Sequence, residues 1–207
     1  MLSIDVLGAR PSPCGATPTL DLELRLQQRG DAEIRSALLR FDVQIPTAAR
    51  PYTAEERARL LELFGDEPRW RQTERPVLWA QIERSVPGFS ESCSLTLALP
   101  CSYDLRLTSA KYLWGLQDGE IPLALRFGGT LFCERDGRLG VTPLPWSEAR
   151  PCRLPVSLLR AALDAHYPDQ MGMLVSRGVF DRLQRYRIDR GLLSCEQALE
   201  RLLEAAQ

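Results

Sequence analysis

The longest alternation of apolar and polar positions in the chain begins at Cys93. Apolar residues hold the odd positions Cys93, Leu95, Leu97, Leu99, Cys101, Tyr103, Leu105 and Leu107, with Ser94, Thr96, Asp104 and Arg106 among the even ones. A period of two belongs to a strand with one face on a core and one in water. Pro100 bends or interrupts it, since proline has no amide hydrogen for a ladder. A second run, Ile121, Leu123, Leu125 and Phe127, continues past Gly128-Gly129 to Leu131 and Cys133. Asp136-Gly137 separates it from Leu139-Gly140-Val141, and Asp-Gly between apolar runs signals a hairpin. The stretch from Ser92 to Trp146 therefore reads as an antiparallel meander.

Earlier in the chain Leu2, Ile4 and Val6 alternate, as do Leu20, Leu22, Leu24 and Leu26 and then Ala37, Leu39, Phe41, Val43 and Ile45. Arg29-Gly30-Asp31 turns the chain between the second and third of these strands, and Pro46 stops the third. The period then changes. Thr53-Ala54-Glu55-Glu56 fits a capping box, Leu60, Leu61 and Phe64 form a helical stripe, and Gly65 closes it. A loop with Pro68, Trp70 and Pro76 leads to a fourth strand over residues 77–82, which Pro87-Gly88 ends. Residues 108–117 fit a short helix capped by Thr108-Ser109 or a continued strand, with the helix favoured. Beyond Trp146, Pro155 suits a first helical position ahead of Val156, Leu159 and Leu163. Ser176 caps a helix carrying Val179, Leu183 and Tyr186, ended by Gly191. Ser194-Cys195-Glu196-Gln197 opens a last helix with Leu199 and Leu202.

These elements predict an α+β fold: an antiparallel, sandwich-like sheet system with an inserted helix near residues 53–64 and a C-terminal helical layer. Residues 1–150 form the β part and residues 151–207 three helices packed on it, in one compact unit. A chain of 207 residues, 44% hydrophobic and 26% charged, suits this organisation. The net charge of -1 supplies no electrostatic reason to expect nucleic acid or an anionic membrane. No apolar run approaches membrane-spanning length, and Met1-Leu2-Ser3-Ile4-Asp5 lacks the pattern of a secretory signal. A cytoplasmic location is expected, with free thiols.

Candidate chemistry adds little. Cys14, Cys93, Cys101, Cys133, Cys152 and Cys195 are scattered without a C-x-x-C pair. His166 is the only histidine. It stands near Asp164 and Asp169 and reads as a helix-end residue rather than a general base. Gly128-Gly129 lacks the spacing of a phosphate loop and reads as a bulge or close backbone approach. No cofactor and no metal site are expected. Of the four tryptophans, Trp79 reads as core, whereas Trp114 and Trp146 sit at element ends. With Phe89, and with Arg182 and Arg185 on the basic helix, they are the candidate partner-binding residues. Asp104, Asp118 and Glu120 are the carboxylates that an enzyme site would draw together.

Several stretches carry a resemblance. They are Arg50-Pro51-Tyr52-Thr53-Ala54-Glu55-Glu56, Val86-Pro87-Gly88-Phe89, Pro100-Cys101-Ser102-Tyr103-Asp104, Ala110-Lys111-Tyr112, Gly119-Glu120-Ile121-Pro122-Leu123 and residues 127–132. Pro145-Trp146 and residues 180–186 complete the set. Together they resemble a bacterial domain-of-unknown-function family encoded near gene clusters for high-affinity [NiFe] uptake hydrogenases. The resemblance spans nearly the whole chain and implies an accessory role, with a hydrogenase subunit or maturation factor as partner; it carries over no catalytic residues. The expected function is a non-enzymatic cytoplasmic accessory or scaffold protein acting through protein contacts. The alternatives are an enzyme with a carboxylate site formed only in the fold and a holdase-type chaperone.

Overall fold

In the computed structural model, residues 2–13, 17–29, 33–102, 104, 106–135 and 137–206 are described. Cys14, Tyr103, Leu105, Asp136 and most of the Arg29-Gly30-Asp31 turn lie outside them. The chain divides into two compact units, Met1–Met171 and Gly172–Gln207.

Strands β1 (Leu2–Pro11), β2 (Thr19–Gln28) and β5 (Ser92–Pro100) form one antiparallel sheet in the order β1-β2-β5. The second sheet runs β4 (Val77–Phe89), β3 (Glu33–Ile45), β6 (Glu120–Arg135), β7 (Arg138–Leu144). Strand β8 (Arg150–Pro155) pairs with the first half of β6, from Glu120 to Leu125, and β7 with its second half, from Gly129 to Arg135. Strands β1 to β6 and β8 turn most of their apolar positions inward, whereas Leu139 and Val141 of β7 stay exposed. Leu20, Leu22, Leu24, Leu26, Leu97 and Leu99 of the first sheet join Leu39, Phe41, Val43, Ile45, Ile121, Leu123 and Leu125 of the second in one core cluster. The Trp79 indole N–H, on β4, donates to the Pro100 carbonyl of β5 at 2.9 Å, a direct polar link between the sheets. The α+β, two-sheet architecture expected from the alternation is thus present.

The pairing within it differs from the expected meander. β5 leaves its sequence neighbours and pairs with β2, Leu24 opposite Leu95, while β6, β7 and β8 build the other sheet. Alternation sets which face of a strand is buried but not which strand lies beside it. Strand β5 itself ends at Pro100, seven residues short of the expected alternation, and helix α4 (Thr108–Gly115) follows after the intervening loop. Pro87-Gly88 does not stop β4, which continues to Phe89. β4 is an edge strand, so a missing amide hydrogen at Pro87 costs the sheet nothing. Arg135 pairs with Arg138 across the predicted hairpin, with Gly137 at φ +73°.

The inserted segment holds three short helices, α1 (Ala54–Arg59), α2 (Leu61–Phe64) and α3 (Glu67–Thr73). The loop expected around Trp70 is α3, started by Pro68 in its first turn and anchored by the Trp70 indole on the Gly65 carbonyl at 2.9 Å. The Thr53 capping box forms in both directions. Strand β8 corrects the reading of residues 151–155 as helical: two prolines and an arginine hide its period, yet Leu154 and Ile121 bury against each other's strand. Helix α5 (Val156–Asp164) follows at once and lays Val156, Leu159 and Ala162 on the core. Residues 151–171 therefore fall with the sheets.

The unit Gly172–Gln207 consists of α6 (Arg177–Asp189) and α7 (Cys195–Glu204). Ser176 caps α6 through the Val179 amide and Ser194 caps α7 through the Gln197 amide. The Gln197 side chain reaches back to the Leu193 amide at 2.9 Å, one residue earlier than a full capping box requires. Gly191, at φ +65°, turns the chain between them.

Candidate functional site

A buried polar knot ties the inserted helices to the second sheet. Glu56 is 1% exposed, and its side chain faces an Arg50 side chain that is 7% exposed. Glu56 Oε1 accepts from Arg50 Nη2 at 2.8 Å and from the Gln117 amide at 2.9 Å, while Oε2 accepts from the Thr53 amide at 3.1 Å. The same Arg50 nitrogen donates to the Asp118 carbonyl at 3.1 Å. One carboxylate thus serves as capping-box acid, ion-pair partner and clamp on the turn between α4 and β6. Beside it, the Tyr52 hydroxyl lies 2.6 Å from the Thr47 carbonyl and 2.8 Å from the Tyr112 hydroxyl. A carbonyl only accepts, so Tyr52 donates to Thr47 and Tyr112 must donate to Tyr52. Burial first, then the neighbouring Tyr112, raises the Tyr52 pKa; burial pushes Tyr112 up to about 12. Neither hydroxyl is suited to act as a base near neutral pH. The knot holds α4 and its exit turn in place.

What it positions is α4, one wall of a cleft of about 400 Å3 whose other wall is α5. Leu113, Leu116, Val156, Leu159 and Leu163 give it an apolar floor, and Trp114 stands at its edge, 43% exposed. The rim carries Arg59, Arg160, Asp164 and Asp169. Arg59 is taken by Glu55 at 3.1 Å, one turn earlier on α1. Asp169 holds a left-handed backbone, φ +54°, a conformation that aspartate tolerates better than most residues.

The other candidates fall elsewhere. Trp146 sits in the break between β7 and β8, where the Ser147 amide donates to the Phe127 carbonyl at 2.7 Å. Its ring lies against Gly128, where an added Cβ would come within 3.3 Å of it, and the Arg126 guanidinium is 5.8 Å from its centre. Phe89, at the end of β4 opposite Ile34, packs half-buried against the core. Arg182 and Arg185 are exposed on α6, at the edge of an apolar groove of about 520 Å3 lined by Met173, Val179, Leu183, Tyr186, Leu199 and Leu202. Neither arginine has a carboxylate partner among the described residues. Sequence reasoning found the two arginines but missed the groove, because the stripes of α6 and α7 each read as faces bound for the core.

The three carboxylates are individually engaged. Asp104 takes Arg106 in two hydrogen bonds of 2.8 Å, which hold its carboxyl below the usual range. Asp118 caps the Gly119 amide at 2.7 Å, and Glu120 faces Arg153 at 3.4 Å. His166 is half-buried past the end of α5, its ring edge-on to Tyr167 at 5.9 Å. Among the described residues no three metal-ligating side chains cluster. Cys101 is buried and Cys93, Cys133 and Cys152 pack half-buried against the core, as small hydrophobes. Burial pushes Cys101 up to about 12 and Cys152 up to about 11, far from the thiolate range of reactive cysteines.

Two antiparallel sheets over a shared core, an inserted helical segment knotted to them and a C-terminal helical hairpin define the class as an α+β protein with clefts at its helices. The chain belongs to a family of unknown function, DUF6084, whose model matches residues 1–207. No curated protein matches it at a significant level. Among solved structures it is similar to a Bifidobacterium adolescentis GH3 beta-glucosidase, at 13% identity and a TM-score of 0.26. That match covers 71% of this chain and 17% of the glucosidase, and likeness at this level supports no argument. No helix among the described residues is long and apolar enough to cross a membrane.

Proposed function

We propose that the protein is a non-enzymatic cytoplasmic accessory protein that works by holding another protein, with the α6–α7 hairpin as its principal contact. The observation that carries this reading is the hairpin's apolar groove, lined also by Asp189, with two arginines at its rim that have no carboxylate partner among the described residues. Apolar anchors inside a rim of arginine are the composition of protein interfaces. Trp114 and Trp146, each more than two-fifths exposed, add contact candidates in the sheet unit. The resemblance to a family encoded near hydrogenase clusters supports a hydrogenase subunit or a maturation factor as the partner to test. The rival carboxylate enzyme loses ground because Asp104, Asp118 and Glu120 each have their own partner.

The test is recovery of tagged protein from its host under hydrogenase-inducing conditions, with co-purifying chains identified by mass spectrometry. Hydrogenase components recovered with the native chain, and lost with Arg182→Glu/Arg185→Glu at unchanged circular dichroism, are the expected result. Recovery of the bait alone would sink both partner and role.

A further inference from the structure

We infer that the cleft between α4 and α5 is a binding site for a small apolar zwitterion, a dipeptide with large apolar side chains. Its volume of about 400 Å3 lies within the range, roughly 300–1,000 Å3, of pockets that enclose small ligands. The composition is also of that kind, an apolar floor with few polar groups at the edge.

The charge pattern names the ligand. Arg160 and Asp164 stand four residues apart on α5, neighbours on one face. An arginine and an aspartate so placed can close on each other. Here Arg160 donates instead to the Leu116 carbonyl at 3.4 Å, and Asp164 has no partner among the described residues. Both line the cleft. Asp169 adds a second carboxylate on the same rim, also without a partner among the described residues. The remaining charge, Arg59, is committed to Glu55. The rim therefore offers one guanidinium and a pair of carboxylates, Arg160 and Asp164 being spaced on the scale of one helical turn, roughly 5–6 Å between Cβ atoms. A ligand that satisfies both has an ammonium and a carboxylate a similar distance apart and an apolar body for Leu113, Leu159 and Leu163. A simple cation leaves Arg160 unanswered, and a simple anion leaves Asp164 and Asp169 unanswered. Trp114, at the edge, adds an aromatic wall for an apolar or aromatic side chain.

Titration calorimetry on the full chain tests this with three probes: the dipeptide Leu-Phe, its C-terminal amide and its N-acetyl form. The free dipeptide is expected to bind at one site, roughly tenfold or more tighter than either blocked form, since each block removes a charge-assisted hydrogen bond. Both charged residues are exposed, so Asp164→Asn and Arg160→Gln should leave the fold intact by circular dichroism. In Asp164→Asn the preference for a free amine over the acetylated form should shrink, and in Arg160→Gln the preference for a free carboxylate over the amide should shrink. Absence of saturable binding by all three probes, equal binding of the three, or unchanged preferences in both variants would each overturn the assignment.

Discussion

Glu56 shows how much a single side chain can carry. Its two oxygens close a capping box, neutralise Arg50 and clamp Gln117. Glu56→Ala would remove all three at once and leave Arg50, 7% exposed, without its counter-charge. Loss of one member of a buried pair costs about 3–5 kcal/mol. Chemical denaturation should show a fall of that size, whereas Asp104→Ala, at a surface pair with Arg106, should shift the midpoint far less. Tyr112 adds a pH dependence. Burial raises its pKa from 10.0 to about 12, so the fold favours the neutral phenol. Its contribution is complete below pH 10 and is lost as pH rises from 10 to 12, because the unfolded chain releases its proton first. Stability measured against pH should decline through that window, and Tyr112→Phe should flatten the decline. Tyr52, Cys152 and Cys101, all raised by burial, act in the same direction and remain in both proteins, so the decline is reduced rather than removed.

At the scale of elements, β6 is the strand on which the second sheet depends, since it pairs with β3, β7 and β8. Gly129 makes the pairing with β3 possible. It holds φ +147°, and a Cβ there would lie 2.1 Å from the Leu38 carbonyl oxygen, a backbone atom that cannot swing aside. Gly129→Ala should destabilise by about 3 kcal/mol or more, from strain and overlap together. Gly137→Asn is the contrast: φ is also positive but the space is open, so the change in thermal midpoint should be small. A slope in the sequence hinted at Gly129, since a glycine pair inside a strand signals close approach. That the approach is to Leu38 was not legible, because it depends on which strand lies alongside.

At the scale of the molecule, the chain between α5 and α6 is the division between its two compact units. Met171, Met173 and Leu174 there are more than half exposed, and residues 170–176 hold no regular element. Short exposed connections between compact units are the preferred sites of proteolysis. Brief digestion with chymotrypsin should therefore cut first near Leu174 and release a resistant fragment that retains the sheets. A first cut within β3 or β6 would contradict the division. The composition shift near residue 150 placed this boundary about twenty residues early. Strand β8 has no period of its own to read, and its membership of the sheet follows from hydrogen bonds to β6.

The sequence alone determined what is local. Apolar alternation of period two set which faces of β1, β2, β3 and β6 are buried. The Thr53, Ser176 and Ser194 caps set where α1, α6 and α7 begin, and Asp-Gly marked the hairpin between β6 and β7. These signals act over a few residues, where backbone geometry and hydrogen-bond reach leave few choices. Tertiary structure decided the rest. It sent β5 to β2, joined Arg50 and Glu56 to a turn sixty residues away, and placed Arg160 and Asp164 across from α4. Those outcomes turn on which apolar faces meet, and a face carries no label for its partner.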